Sequence, residues 1–376
     1  MIFRSLYVHV PFCLRRCPYC DFAVVPTRRP PWRTYLEALA TEARLQAEAY
    51  GWETPVPVGT LYVGGGTPSL LPPAAIVELV VRLRPFVRWN DATEWTLEAN
   101  PETVDRDRAL AWRRLGVNRV SLGVQTFHDG ALRRMGRLHG SAGAAAAVRA
   151  LRHAGVASLN IDLIFALPPA WGQDWDADLD RALALEPDHI SLYGLTVEEG
   201  TALARWVAAG RVRPADDERY VEQYLRAHER LTAAGYRHYE VSNFARPGHE
   251  SRHNAIYWSG APYAALGPGA HAYDPPVRRW NLRDWVAYCR RVFAGRLPLA
   301  GAERLPARSR RLERLWLALR TDAGLPVATL SPAAQALAAR WRAQGWAEQR
   351  DGRLRLTATG WLLLDRLALE LCDAAP

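Results

Sequence analysis

The chain has 376 residues, room for two or three domains and a large buried core. Its net charge is +9, with 49% hydrophobic and 23% charged residues, the mix of a soluble globular protein. All 48 basic residues are arginine, which excludes Schiff-base lysine chemistry, pyridoxal phosphate anchoring and a Walker-type phosphate loop. No run approaches the roughly 18 apolar residues of a spanning helix, and Met1 leads into a strand-like segment without a signal-peptide layout, so a cytoplasmic protein is expected. The arginines come singly or in pairs (Arg15-Arg16, Arg28-Arg29, Arg113-Arg114, Arg310-Arg311), which predicts a solvated surface; charge alone does not choose between acidic small molecules and nucleic acid as partners, and no nucleic acid is expected.

In chain order, short apolar runs predict strands at Leu6–Phe12, Thr60–Gly64, Glu94–Ala99, Arg119–Gln125, Ser158–Leu167 and His189–Thr196. Helical spacing predicts Thr34–Tyr50, Pro73–Arg84, Asp105–Leu115, Ser141–Ala154 and Gln173–Leu185 between them. This alternation, at about 30 residues per step, predicts a parallel sheet, curled or open, with ligands at the carboxyl ends of its strands. The rhythm breaks after Thr196. Residues 197–300 carry a clear helix at Asp216–Ala234 and then a loop-rich, aromatic-rich stretch. From Gly301 the pattern is helix (Arg308–Thr321), helix (Ser331–Gln344), hairpin (Trp346–Leu356, turning at Asp351-Gly352) and helix (Ala358–Leu371), an order that resembles a small winged-helix module. Three domains are expected, at 1–200, 201–300 and 301–376.

Of the five cysteines, Cys13, Cys17 and Cys20 lie together after the first strand, whereas Cys289 and Cys372 stand alone and read as structural thiols in helices. Three close thiols in a long, reduced chain point to a metal site. Three thiolates can hold three irons of a [4Fe–4S] cluster and leave the fourth open to a small chelating molecule. A zinc site with His9 as fourth ligand, or simple buried thiols, are the alternatives. Gly64-Gly65-Gly66-Thr67-Pro68 closes the second strand, where glycine lets backbone approach a ligand, although a tight turn reads equally well. Glu98, Gln125 and Asp162 sit within or at the end of apolar strands, where a polar side chain is costly unless paired or facing a cavity. Three on successive strands predict one polar pocket.

Together Tyr7-Val8-His9-Val10-Pro11-Phe12-Cys13, the cysteine triplet, Gly64–Pro68, Leu122-Gly123-Val124-Gln125 and Ile161-Asp162-Leu163-Ile164 resemble the radical S-adenosylmethionine proteins. Within these the chain is similar to the branch of the oxygen-independent coproporphyrinogen III oxidases. The resemblance implies an α/β fold, a partial (β/α)6 barrel with an α+β extension and the winged-helix-like module, a [4Fe–4S] cluster, and S-adenosylmethionine on its open iron. It further implies that Tyr7, Tyr19, Gly65 and Glu98 hold the methionine end or nucleoside. Gly66, Thr67, Gln125, Arg137 and Asp162 match positions that contact a second such molecule in the oxidase. Two departures count against decarboxylation: Phe22 stands where the oxidase has a further cysteine, and only twelve residues precede Cys13.

Four of the ten histidines fall between His238 and His271, among many aromatic residues. At their centre is His253-Asn254-Ala255-Ile256-Tyr257-Trp258. Neutral imidazole ligates haem iron, flat rings suit a porphyrin face, and arginines such as Arg246 and Arg252 could pair with propionates. A loop histidine capping a turn is the plainer alternative. The segment resembles the signature of the family's haem-carrying branch, which implies that His253, Tyr257 and Trp258 bind haem for delivery to an acceptor protein. The expected function is therefore haem chaperone. The alternative is the coproporphyrinogen III oxidase itself, and third comes an RNA-modifying relative using Arg340, Arg342, Arg350, Arg353 and Arg355. Peripheral membrane contact is left open.

Overall fold

The computed structural model describes residues 2–374. Six parallel strands run in chain order across one sheet: β1 (Ser5–Val10), β2 (Thr60–Gly65), β3 (Glu94–Ala99), β4 (Arg119–Gln125), β5 (Ser158–Phe165) and β6 (His189–Gly194). The register pairs Tyr7 with Tyr62, Leu97 with Val120, Leu122 with Ile161 and Ile161 with Ile190. Leu6, Val8, Leu97, Val120, Leu122 and Leu163 are fully buried, as expected where helices cover a parallel sheet.

The crossover helices are α1 (Trp32–Tyr50), α2 (Pro73–Leu83), α3 (Arg106–Leu115), α4 (Ser141–His153) and α5 (Trp175–Ala184). Local chemistry sets their ends. Asp105 accepts from the Arg108 N–H to cap α3, Asp174 accepts from Ala177 to cap α5, and α1 stops at Gly51 in the left-handed conformation. A further short helix, Asp129–Arg134, capped by the His128 side chain, lies in the connection before α4.

Three strands of three or four residues extend the sheet beyond its parallel core. These are β7 (Arg237–Glu240), β8 (Asn243–Ala245) and β9 (Ala264–Leu266). Strand β9 joins β1 in parallel, while β8 joins β6 antiparallel and carries β7, giving the order β7-β8-β6-β5-β4-β3-β2-β1-β9. Such short strands leave no alternation long enough to detect in sequence. The fold is the expected α/β partial barrel. Its edges, β7 and β9, do not pair with each other.

Beyond the sheet, an antiparallel ribbon of β10 (His271–Asp274), β11 (Val277–Asn281) and β12 (Leu299–Arg304) replaces part of the predicted loop region. The C-terminal module has helices Ala307–Leu319, Pro332–Ala343 and Leu364–Ala374 around a small three-stranded sheet. It has its own core of Leu319, Trp341, Leu354, Leu367 and Leu371. Ser331 caps its second helix as the sequence predicts, whereas the single predicted Ala358–Leu371 helix is two pieces, Ala358–Trp361 and Leu364–Ala374. Cys289 lies half-buried in a helix and Cys372 is buried in the last one. No helix among the described residues is long and apolar enough to cross a membrane.

Candidate functional site

At the carboxyl ends of the parallel strands a cavity of about 430 Å³ opens. It gathers Cys13, Cys17 and Cys20 with Tyr19, Gly65, Gly66, Thr67, Glu98, Gln125, Arg137 and Asp162. Residues from the β1 loop and from β2 to β5 thus meet in one place, because parallel strands in sequential order bring all their carboxyl ends to one edge.

The three thiols share the loop after β1, which turns through a hydrogen bond from the Cys20 N–H to the Cys17 carbonyl at 3.1 Å. Burial pushes the Cys13 thiol up to about 11, partly offset by the Thr67 hydroxyl that donates to its sulfur at 3.4 Å. Burial also raises Cys20. Arg137 stands behind Cys17 with Nη1 4.0 Å from its sulfur, and Nη2 donates to Asn100 Oδ1 and the Gly123 carbonyl at 2.6 and 2.5 Å. Its Nε is buried and has no hydrogen-bond partner among the described residues. Beside the thiols, a Cβ on Gly66 would lie 3.0 Å from Cys13 Sγ and 2.8 Å from the Phe12 carbonyl, so the backbone there is open only to glycine. Soft thiol donors, a buried cation with an unused N–H and a glycine cradle fit an anionic iron–sulfur cluster. His9 is spoken for in another way. Its Nε2–H donates to the Ala23 carbonyl at 2.9 Å and its Nδ1 accepts from the Tyr7 hydroxyl at 3.0 Å, which leaves no lone pair for zinc.

Glu98, on β3, accepts from the Tyr62 hydroxyl at 2.7 Å and the Gly65 N–H at 2.8 Å. Burial nevertheless raises its carboxyl from 4.5 to about 7. Asp162, on β5, is raised by burial to about 6 while it accepts from Ser121 and Asn160. Gln125 ends β4 at an irregularity in the β4–β5 register and has φ 72, a strained value for a side chain that cannot relax as glycine does. Asn100, Tyr62, Ser121 and Tyr193 also line this cavity and were not singled out in the sequence. Asn100 follows Glu98 by two positions at the end of the same strand, a polar residue where the apolar run stops.

A second cavity, of about 470 Å³, adjoins the first and shares Asp21, Phe22, Gly65 and Glu98 with it. Its walls are Tyr7, Tyr257, Trp258 and Tyr263, with His9, His271 and Arg283. The His-Asn-x-x-Tyr-Trp segment is a helix, Arg252–Ser259, and not a loop. Ser251 caps it, and the Glu94 carboxylate accepts from the Arg252 and His253 N–H groups at 2.9 and 2.8 Å, where the helix dipole favours an anion. Tyr257 and Trp258 reach the cavity; the His253 ring does not line it. It is 1% exposed and packs on Tyr62 with ring centroids 4.9 Å apart. With Thr60 donating to Ser5, His253 Nδ1–H donates to Thr60 at 2.8 Å and Nε2 accepts from the Tyr257 hydroxyl at 2.8 Å. Burial lowers its pKa to about 3. Arg246 instead covers the ring of Tyr236, and Arg252 donates to the Ala92 carbonyl.

Residues 7–182 match the Radical SAM superfamily. A heme chaperone HemW of Mycobacterium tuberculosis (strain ATCC 25618 / H37Rv) is 39% identical over 369 residues, 98% of this chain and 94% of its own length. The chain belongs to the HemW family of radical SAM proteins. The HemW of Escherichia coli K12 is also 39% identical, over 71% of this chain and 69% of its own length. The structure of the Escherichia coli coproporphyrinogen III oxidase, titled a radical SAM enzyme, superposes with a TM-score of 0.79 over 98% of this chain and 89% of that one. At 24% identity that likeness concerns the fold. The Mycobacterium tuberculosis relative, matched over 98% of this chain, thus spans the parallel sheet, the aromatic cavity and the C-terminal module together.

Proposed function

We propose that this protein is a haem chaperone, which binds haem and passes it to an acceptor protein. The observation that carries the reading is the wide aromatic cavity that opens directly beside the cysteine cavity and shares Phe22 and Glu98 with it. A porphyrin needs flat apolar walls and peripheral cations, and this cavity offers Tyr257, Trp258 and Tyr263 with Arg283 at its rim. The relatives at 39% identity carry the name heme chaperone.

Cys13, Cys17 and Cys20 would hold a [4Fe–4S] cluster, which would supply an open iron site for S-adenosylmethionine. Tyr7, Tyr19, Gly65 and Glu98 seat that molecule. Glu98 anchors the Gly65 backbone, and Gly66 leaves the space it needs. Gln125, Arg137 and Asp162, with Thr67, complete the polar side of the cavity. His253 orders the haem-facing segment from behind through its bonds to Thr60 and Tyr257. The cluster domain spans 1–200, the haem-type extension 201–300 and the winged-helix-like module 301–376, and the protein works in the cytoplasm.

A comparison under anaerobic conditions separates this reading from decarboxylation. Cluster-loaded protein is given haemin and, separately, coproporphyrinogen III with S-adenosylmethionine and reductant. Haem that stays with the protein through gel filtration and passes to an apo-haem-protein supports the chaperone. Release of carbon dioxide from coproporphyrinogen with no haem retained contradicts it.

A further inference from the structure

Of the histidines around the aromatic cavity, His9 and His253 have both ring nitrogens engaged inside the protein. His271 differs. It begins β10 and is exposed, it lines the aromatic cavity, and its ring makes no hydrogen bond among the described residues. Strand β11 places Trp280 directly opposite it, and the two rings stack with centroids 6.1 Å apart and 19° between planes. The indole thus lies nearly parallel to the imidazole across the ladder, and neither imidazole nitrogen is taken up by it. Arg283 lines the same cavity, tied to the loop after the cysteines through the Asp21 carbonyl.

We propose that His271 is the axial ligand of haem iron in the aromatic cavity, with Arg283 holding a propionate. This rests on the haem-binding reading above and replaces the more obvious ligand, His253, with a ring that has an unused lone pair. Iron ligation requires an imidazole nitrogen with a free lone pair and an approach perpendicular to the porphyrin. To ligate from its present position, His253 would have to break its bond to Tyr257 and leave a core in which it is 1% exposed. His271 needs no such rearrangement. Tyr263 bonds back to Tyr273 through paired backbone hydrogen bonds of 2.9 and 3.1 Å, which clamps the strand carrying His271 to the cavity wall.

Haemin titrations of the full chain test this, with wild type, His271→Ala, His253→Ala and the surface variant His153→Ala compared. The readouts are the Soret titration, the electron paramagnetic resonance spectrum of ferric haem and the iron–imidazole vibration of ferrous haem. The expected result is an imidazole-ligated spectrum in wild type and His153→Ala. In His271→Ala the imidazole signature is lost, affinity falls about tenfold or more, and added free imidazole restores the ligated spectrum. Circular dichroism establishes that the variants are folded. If His271→Ala keeps the imidazole signature, or if folded His253→Ala alone loses it, the assignment is overturned while haem binding stands. If wild type shows no saturable haem binding, the chaperone reading fails first and takes the assignment with it.

Discussion

The guanidinium of Arg320 lies 4.4 Å from the ring centroid of Trp258, so the C-terminal module rests on the last residue of the His-Asn-x-x-Tyr-Trp segment. The same guanidinium packs on Trp316 at 5.3 Å and pairs with the fully buried carboxylate of Glu240 at 2.8 Å, on the edge strand β7. One side chain thus joins the sheet edge, the aromatic cavity wall and the module. Removing it strands a buried charge, which costs about 3–5 kcal/mol when one partner of such a pair is lost. Arg320→Ala is expected to lower stability by that order in chemical denaturation. The double variant with Glu240→Gln is expected to recover much of the loss. A double variant no better than Arg320→Ala would show that Glu240 is not what the arginine neutralises.

Removal of any one of Cys13, Cys17 or Cys20 takes away a cluster ligand. Each serine variant is expected to lose the iron and sulfide taken up on anaerobic reconstitution, whereas Cys289→Ser keeps them, since that thiol lies in a helix outside the cavity. Full iron content in the Cys17→Ser protein would exclude a three-cysteine site.

Glu98 gives the site a pH signature. Its folded pKa is raised from 4.5 to about 7, so the native state binds a proton that the unfolded chain releases earlier. Its contribution to stability is present in full below pH 4.5 and is lost as pH rises towards about 7. Glu98→Gln, which cannot titrate, is expected to flatten the decline in melting temperature across that interval. An unchanged slope would mean that another carboxyl governs it, the first candidate being Glu42 on α1, which burial raises over the same interval, from 4.5 to about 7.

Gly65 has φ +108, and a Cβ there would lie 2.5 Å from the His9 ring. Gly65→Ala is therefore expected to cost about 1–3 kcal/mol from backbone strain alone. By displacing the N–H that Glu98 holds, it should also weaken S-adenosylmethionine binding in equilibrium dialysis of cluster-loaded protein. Wild-type affinity in the alanine variant would remove this turn from the binding site.

The parallel core was legible because its strands are uninterrupted apolar runs with helices of clear period between them. Glu94–Ala99 and Arg119–Gln125 are bounded as the sequence predicts. The cysteine spacing, the glycine turn and the polar interruptions at Glu98, Gln125 and Asp162 could all be read because each breaks a local rule of the strand that bears it. What escaped was long-range. Nothing local to Thr60 reveals that its hydroxyl meets His253, 193 residues away. Nor does the aromatic stretch around His253 reveal that Glu94 will seat its backbone and make it a helix. His271 looks like His253 in composition. Only the packing separates a buried, doubly bonded ring from an exposed one.

The measurement that tests the central claim most directly is an anaerobic haemin titration of the cluster-reconstituted chain, followed at the Soret band. Saturable binding of one haem per chain is predicted. Absorbance that rises without saturating, as haemin does on any apolar surface, would contradict it.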